Sequence, residues 1–305
     1  MNFPGALFDP GVGGTPGSQG YVYWDSRIVL AVNVALATRR PLLVTGDPGS
    51  GKSTLAADVA THLGWAFVGT TITSRTRQDD LVARIDSVRR LADAQAGRLR
   101  ADDDAYLVPG VLWWAFDGTS AAAVAGVASE QRTNPEHACN GVVVLLDEID
   151  KAEPDLPNDL LAPLDSFTIR VPGREPVKAG SDVFMVITSN GERTMPPAFL
   201  RRCITLELGD DNPDFIAAVA ISHFGEREDS LYADVAGRLG QLSQAAASER
   251  RPKPSIAEYL DTVRASLRFD QRPPTDTSPG TALWLAIEEA ALRKSRAGKP
   301  GAGGG

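Results

Sequence analysis

Residues Gly46-Asp47-Pro48-Gly49-Ser50-Gly51-Lys52-Ser53 fit the spacing G-x-x-x-x-G-K-[ST]. These residue types at this spacing suit the gripping of a polyphosphate. Glycines let the backbone turn tightly and aim several N–H groups at phosphate oxygens. A helix beginning near Lys52 adds the positive end of its dipole. The Lys52 ammonium is placed to neutralise the β- and γ-phosphates, and the Ser53 hydroxyl to ligate Mg²⁺. Gly46, Asp47, Pro48, Gly49, Ser50, Gly51, Lys52, Ser53 and Thr54 are therefore the candidate nucleotide contacts.

About a hundred residues later, Val142-Val143-Val144-Leu145-Leu146 is an apolar run that ends in two acids, Asp147 and Glu148. Strands often end in acidic residues, so the pair means little alone. Behind a phosphate loop it gains a chemistry. Asp147 would hold Mg²⁺ through water, and Glu148 would orient and polarise an attacking water. A kinase has no need of a water-activating glutamate there.

The pattern around these motifs alternates. Residues 26–38 read as a helix with Ile28, Val32, Ala35 and Leu36 on one face. Strands are expected at 42–44, 66–72, 142–146, 183–187 and 203–208, with a helix at 53–63 after the phosphate loop. Such alternation predicts an α/β fold, a P-loop αβα core on a five-stranded parallel sheet. After Gly209 only helical periodicity remains, over 214–224, 230–246, 255–267 and 281–295. Tyr232, Val235, Ala236 and Leu239 recur at i, i+3, i+4 and i+7, as do Ile256, Tyr259, Leu260 and Val263. The expected division is a Gly/Pro-rich arm (1–20), the core (21–208), a small all-helical lid (209–295) and a Gly-rich tail (296–305).

Composition bounds the class. The 305 residues are 43% hydrophobic, enough for a sizeable core. No apolar run approaches the roughly 18–20 residues that cross a bilayer. The N-terminus lacks the basic and apolar regions of a secretory signal. A cytoplasmic protein without membrane contact is expected. Net charge is −8, against a dedicated nucleic-acid binder. Cys139 and Cys203 lack the four-ligand spacing of structural zinc and read as free thiols. Asp102-Asp103-Asp104 reads as solvated surface.

These motifs resemble the AAA+ superfamily. Val183-Phe184-Met185-Val186-Ile187-Thr188-Ser189-Asn190 is similar to its sensor 1 strand, which makes Asn190 the residue that helps place the water. Pro196-Pro197-Ala198-Phe199-Leu200-Arg201-Arg202-Cys203 resembles the segment that carries the arginine finger, with Arg202 the better match and Arg201 the second. A guanidinium there would offer fixed donors to the transition-state phosphoryl oxygens of a neighbouring subunit. Finer features resemble the MoxR-like branch. They are the approach Leu36 to Gly46, the stretch Gln78-Asp79-Asp80-Leu81 with Pro109 to Phe116 (a helix 2 insert, about 84–116), a hairpin at about 165–182, and Asp147-Glu148-Ile149-Asp150-Lys151-Ala152. One departure stands out. Lys253-Pro254-Ser255-Ile256-Ala257-Glu258 has no arginine where the family often carries sensor 2, so that either Lys253 or Arg264 substitutes or the function is missing.

The resemblance implies an ATPase using ATP and Mg²⁺, a ring homo-oligomer (a hexamer), and remodelling of a protein client, often with a von Willebrand A domain partner. Three other readings stand beside it: a nucleotide-dependent switch or scaffold, a small-molecule kinase, and a nucleic-acid motor. Trp113 and Trp114 read either as core or as a partner-facing pair.

Overall fold

The computed structural model describes residues 7–10, 21–23, 25–100, 103–125, 132–209, 212–249, 253–274 and 280–292. Most of the expected arm (1–20), the tail (296–305) and the end of the last expected helix therefore lie outside the described residues. The chain forms two compact units. One draws on Met1–Pro10, Asp25–Gly46 and Lys52–Leu208, the other on Gly11–Trp24, Asp47–Gly51 and Gly209–Gly305.

The first unit runs α1 (Ser26–Thr38), β1 (Leu42–Gly46), α2 (Lys52–Leu63), β2 (Ala66–Thr71), α3 (Gln78–Val82), β3 (Ala83–Ile85), α4 (Ser87–Gln95), β4 (Leu107–Pro109), α5 (Val111–Phe116) and α6 (Gly118–Ala125). It continues with β5 (Val142–Asp147), α7 (Leu156–Asp159), α8 (Leu161–Ser166), β6 (Thr168–Ile169), β7 (Val177–Lys178), β8 (Val183–Ser189), α9 (Pro197–Leu200) and β9 (Ile204–Leu208). Five strands form one parallel sheet in the order β2-β5-β8-β1-β9. The expected fold class is the observed one. β5 and β8 occupy the middle, which is why Val142 to Leu146 and Phe184 to Ile187 are apolar without alternation: a parallel sheet is covered on both faces.

Side-chain alternation divides the two faces. Leu43, Val144, Met185 and Ile187 belong to a core cluster with Leu112, Trp113 and Trp114. α5 is thus buried throughout and packs on β2 and β5. That decides the tryptophan pair in favour of core. Trp113 also donates from Nε1 to Ser120 Oγ at 2.8 Å, and the Arg174 guanidinium lies 5.4 Å from its ring centre. Arg174 in turn forms a two-pronged pair with Asp104 (2.6 and 3.0 Å), so this member of the acidic triplet is a partner in an ion pair rather than bare surface. The arginine holds the Asp104 carboxyl below its usual value.

Two small antiparallel ribbons interrupt the αβ pattern. β6 pairs with β7 through Thr168 and Lys178, inside the expected hairpin. β3 pairs with β4 through Ala83 and Pro109, a ribbon that periodicity does not reveal in three-residue strands. It carries α4, on which no residue is buried.

The second unit holds α10 (Pro213–Phe224), α11 (Leu231–Ser248), α12 (Ile256–Phe269) and α13 (Ala282–Ala291). Three of these four starts carry a side-chain cap, and Ser230 ahead of α11 makes none. Asn212 accepts from Asp214 N ahead of Pro213, Ser255 and Glu258 form a reciprocal capping box, and Thr281 accepts from Trp284 N. Tyr232, Val235, Leu239, Tyr259, Val263 and Trp284 form its core. Arg238 grips the buried Glu288 at 2.7 and 2.9 Å. No helix among the described residues is long and apolar enough to cross a membrane.

Candidate functional site

The ends of β1, β5 and β8 point the same way because the three strands are parallel neighbours. In such sheets ligands bind beyond the carboxyl ends of the strands. Lys52 opens α2 directly after the phosphate loop, 6% exposed, and its ammonium donates to Gly46 O at 2.8 Å. Ser53 stands next to it on the first turn and donates from Oγ to Asp147 Oδ1 at 2.7 Å. Thr54 follows on the same turn, with its side chain exposed.

The loop's own turn needs bare backbone at two places. Gly49 has φ +78°, and a Cβ there would come within 2.9 Å of Ser255 Oγ and 3.2 Å of Ala257 Cβ. Gly51 has φ +88°, and a Cβ would meet the Tyr21 ring at 3.1 Å. Positive φ is costly for side chains that carry a Cβ. Asp47 O accepts from Ser50 N at 3.2 Å, closing the turn. The Ser50 hydroxyl is buried and makes no hydrogen bond among the described residues.

At the end of β5 the backbone turns abruptly. Glu148 adopts φ +61°, ψ +49°, a left-handed conformation uncommon for a non-glycine residue. This sends neighbouring acids in different directions. Asp147 reaches Ser53, while Glu148 accepts from Asn190 Nδ2 at 3.2 Å and from Lys151 Nζ at 2.7 Å. The glutamate holds the Lys151 ammonium above its usual pKa. Asn190, just past β8, thus lies beside Glu148.

Two residues that the motifs did not single out complete this cluster. Thr188 Oγ1 donates to Asp147 Oδ1 at 2.6 Å and accepts from Glu148 N at 2.8 Å, joining both acids to β8. Asp150, 1% exposed, accepts at Oδ2 from Asn190 N (2.9 Å) and Glu192 N (3.0 Å). It thereby fixes the backbone from which the Asn190 side chain extends. The signal for Thr188 was a hydroxyl inside an apolar strand. The signal for Asp150 was a third acid two residues after Glu148.

Arg201 and Arg202 follow α9 at a separate place in the same unit. Arg40 donates to the carbonyl oxygens of Arg201, Arg202 (3.0 Å) and Cys203 (3.1 Å), pinning the backbone there. Arg202 donates to Asp165 Oδ2 at 2.7 Å and to Ala198 O at 3.1 Å. Arg201 is exposed and makes no side-chain hydrogen bond or ion pair among the described residues. The structure does not bring either arginine to Glu148. In the second unit Arg264 is engaged with Asp261 (3.2 Å) and with the face of Phe224, and Lys253 is exposed.

A parallel αβα sheet, a glycine-rich loop opening a helix, and a hydroxyl hydrogen-bonded to the acid of a central strand define a P-loop nucleotide-binding protein. Residues 41–203 match the AAA domain (dynein-related subfamily), and the chain belongs to that family. Solved structures with a similar fold include a single-site mutant of RuvB from Thermotoga maritima (16% identity, 90% of this chain and 73% of that one, TM-score 0.48). The RuvB Holliday junction branch migration motor of the same organism is another (16%, 87% and 67%, TM-score 0.45). NtrX from Brucella abortus in complex with ADP is a third (14%, 87% and 54%, TM-score 0.49). No curated protein gives a significant match.

Proposed function

We propose that this chain is an ATP-hydrolysing AAA+ motor of the MoxR-like kind. It acts as a ring homo-oligomer, a hexamer, that remodels a partner protein, with a von Willebrand A domain protein as its expected associate. One observation carries the hydrolytic part of that reading. Ser53, Asp147, Thr188, Glu148 and Asn190 are joined in a single chain of hydrogen bonds at the carboxyl ends of neighbouring strands.

The residues fit the nucleotide and the metal. Ser53 and Asp147 present oxygen donors, the kind that Mg²⁺ prefers, 2.7 Å apart. Lys52 is buried with its charge directed to the loop, and the Ser50 hydroxyl is buried without a partner there. Residues Gly46 to Thr54 would hold ATP, and Ser53 with Asp147 would hold Mg²⁺. The bound metal would neutralise charge on the phosphate oxygens. Glu148 takes a proton from water, and Asn190 holds the Glu148 carboxylate in place for it. Arg202, or Arg201 next to it, supplies the finger to a neighbouring copy. Its pair with Asp165 is exposed, so exchanging that carboxylate for phosphate costs about 1 kcal/mol or less.

The test is Mg²⁺-dependent ATPase activity per subunit across a wide range of protein concentration. Specific activity that rises with concentration supports sites completed between subunits. Constant activity would point to a self-sufficient monomer. Bound ATP without turnover at any concentration would favour the switch.

A further inference from the structure

α4 is amphipathic, and it presents its apolar side to solvent. Asp93 faces the body of the unit and accepts from Tyr106 Oη at 3.2 Å. At 3.6 residues per turn, Val88 and Leu91 lie about 140° and about 160° round the helix from Asp93. They are 81% and 61% exposed, and Leu99 just beyond the helix is 53% exposed. A helix that only needed to cover its own fold would have these faces reversed. The rim is cationic. Arg84, Arg89, Arg90, Arg98 and Arg100 against Asp86 and Asp93 leave residues 84–100 at +3 in a chain of −8. All five arginines are exposed.

We propose that this face of α4 is a docking site for an acidic, amphipathic segment of a partner polypeptide. Apolar side chains would cover Val88 and Leu91, and carboxylates would meet the surrounding arginines. The inference rests on the remodelling function proposed above, because it assigns the surface that engages the client. Size argues for a transient client rather than a ring contact. Two large apolar side chains on a nine-residue helix fall far short of the 2,000 Å² or more typical of obligate interfaces. Charge steers the encounter and sets its salt dependence, while the two apolar side chains hold the complex together.

The experiment uses the full chain and a fluorescein-labelled synthetic helix with leucines at one face and glutamates elsewhere, read by anisotropy. Controls are a scrambled peptide of equal composition and a lysine-for-glutamate version. The leucine–glutamate helix should bind, weaken with salt, and lose about tenfold or more in affinity in Val88→Ser/Leu91→Ser and in Arg89→Glu/Arg90→Glu. These positions are exposed, so ATPase activity without peptide should stay unchanged. Equal binding by the controls, no binding, or affinity indifferent to both double variants would overturn the proposal. So would loss of ring assembly in Val88→Ser/Leu91→Ser, which would make the patch a self-contact. Capture by anionic vesicles through the same residues, without peptide binding, would make it a lipid surface. Peptide binding without any ATPase activity would keep the docking site and remove the motor. Activity without peptide binding would do the reverse.

Discussion

At the carboxyl ends of β5 and β8, each side chain proposed for catalysis is bound to another. Ser53 meets Asp147, Asp147 meets Thr188, and Glu148 meets Asn190 and Lys151. Around residues 201–203 the arrangement is inverted. There Arg40 holds the backbone through three carbonyls, Arg202 rests on an exposed carboxylate and on the Ala198 carbonyl, and exposed Arg201 makes no side-chain hydrogen bond or ion pair among the described residues. Internal pairing of polar groups at partly buried positions preorganises a site within its own chain. A rigid backbone with loosely held cations suits a group whose proper partner lies elsewhere. On the function proposed above, the first region would be the half of a catalytic site that a subunit completes alone, and the second the half it lends.

The sharpest way to break that contrast is to remove the lent half. Arg202→Ala should lower turnover by about 10³-fold or more, the effect of a finger lost, while ATP affinity stays unchanged. Arg201→Ala identifies which of the two guanidiniums serves. Mixing inactive Arg202→Ala with inactive Glu148→Gln should restore part of the activity, because some interfaces then pair an intact finger with an intact glutamate. No recovery in any ratio would mean that the arginines act within their own subunit or not at all.

Next comes the internal half. Glu148→Gln should keep ATP bound and cut single-turnover hydrolysis by about 10²-fold or more, the ordinary value of a general base. A fully active variant would transfer that role to another residue. Asp150→Asn probes the layer behind it. Two backbone donors lose a charged acceptor, each bond worth about 1.5–3 kcal/mol. Turnover should fall about tenfold to a hundredfold, with unchanged ATP affinity, if Asp150 sets the position of Asn190. A drop in thermal stability with normal kcat would make it a structural residue only.

Much of this was legible before any coordinates. The phosphate loop, Asp147 and the five strands follow from local rules of spacing and apolar run length. Thr188 and Asp150 carried a local signal, but their roles were not legible, because those depend on which strands lie side by side. β5 and β8 are adjacent in the sheet although about forty residues separate them, and no periodicity states that adjacency. The β3–β4 ribbon was missed for the opposite reason: three-residue strands are too short to show alternation. The sequence did place Trp113 and Trp114 in an apolar run, but only packing decides whether such a run faces the core or a partner. Ser255 and Ala257 lie where a Cβ on Gly49 would strike them, leaving little room for bulk on the loop at that place. Gly49→Ala should therefore weaken ATP binding, through strain at φ +78° as well as contact, and an affinity equal to the parent chain would show that the turn can relax.

The smallest effect tests whether the backbone under the arginines is as firmly held as the comparison requires. Cys203 is buried next to Arg202, and burial pushes its thiol up to about 12. At pH 8 almost none of it is thiolate, so it should resist iodoacetamide while exposed Cys139 reacts. One thiol should label in the native chain and two in denaturant. Because the folded thiol resists ionising, the fold should also lose stability as pH rises beyond the ordinary thiol range, about 8.5. Arg40→Ala removes the clamp on residues 201–203. If that clamp keeps the segment in place, Cys203 should begin to label in the native state, turnover should fall about tenfold, and ATP affinity should hold. Labelling that stays at one thiol alongside normal turnover would mean that packing around Cys203 positions the arginines, and that Arg40 merely satisfies carbonyls at the surface.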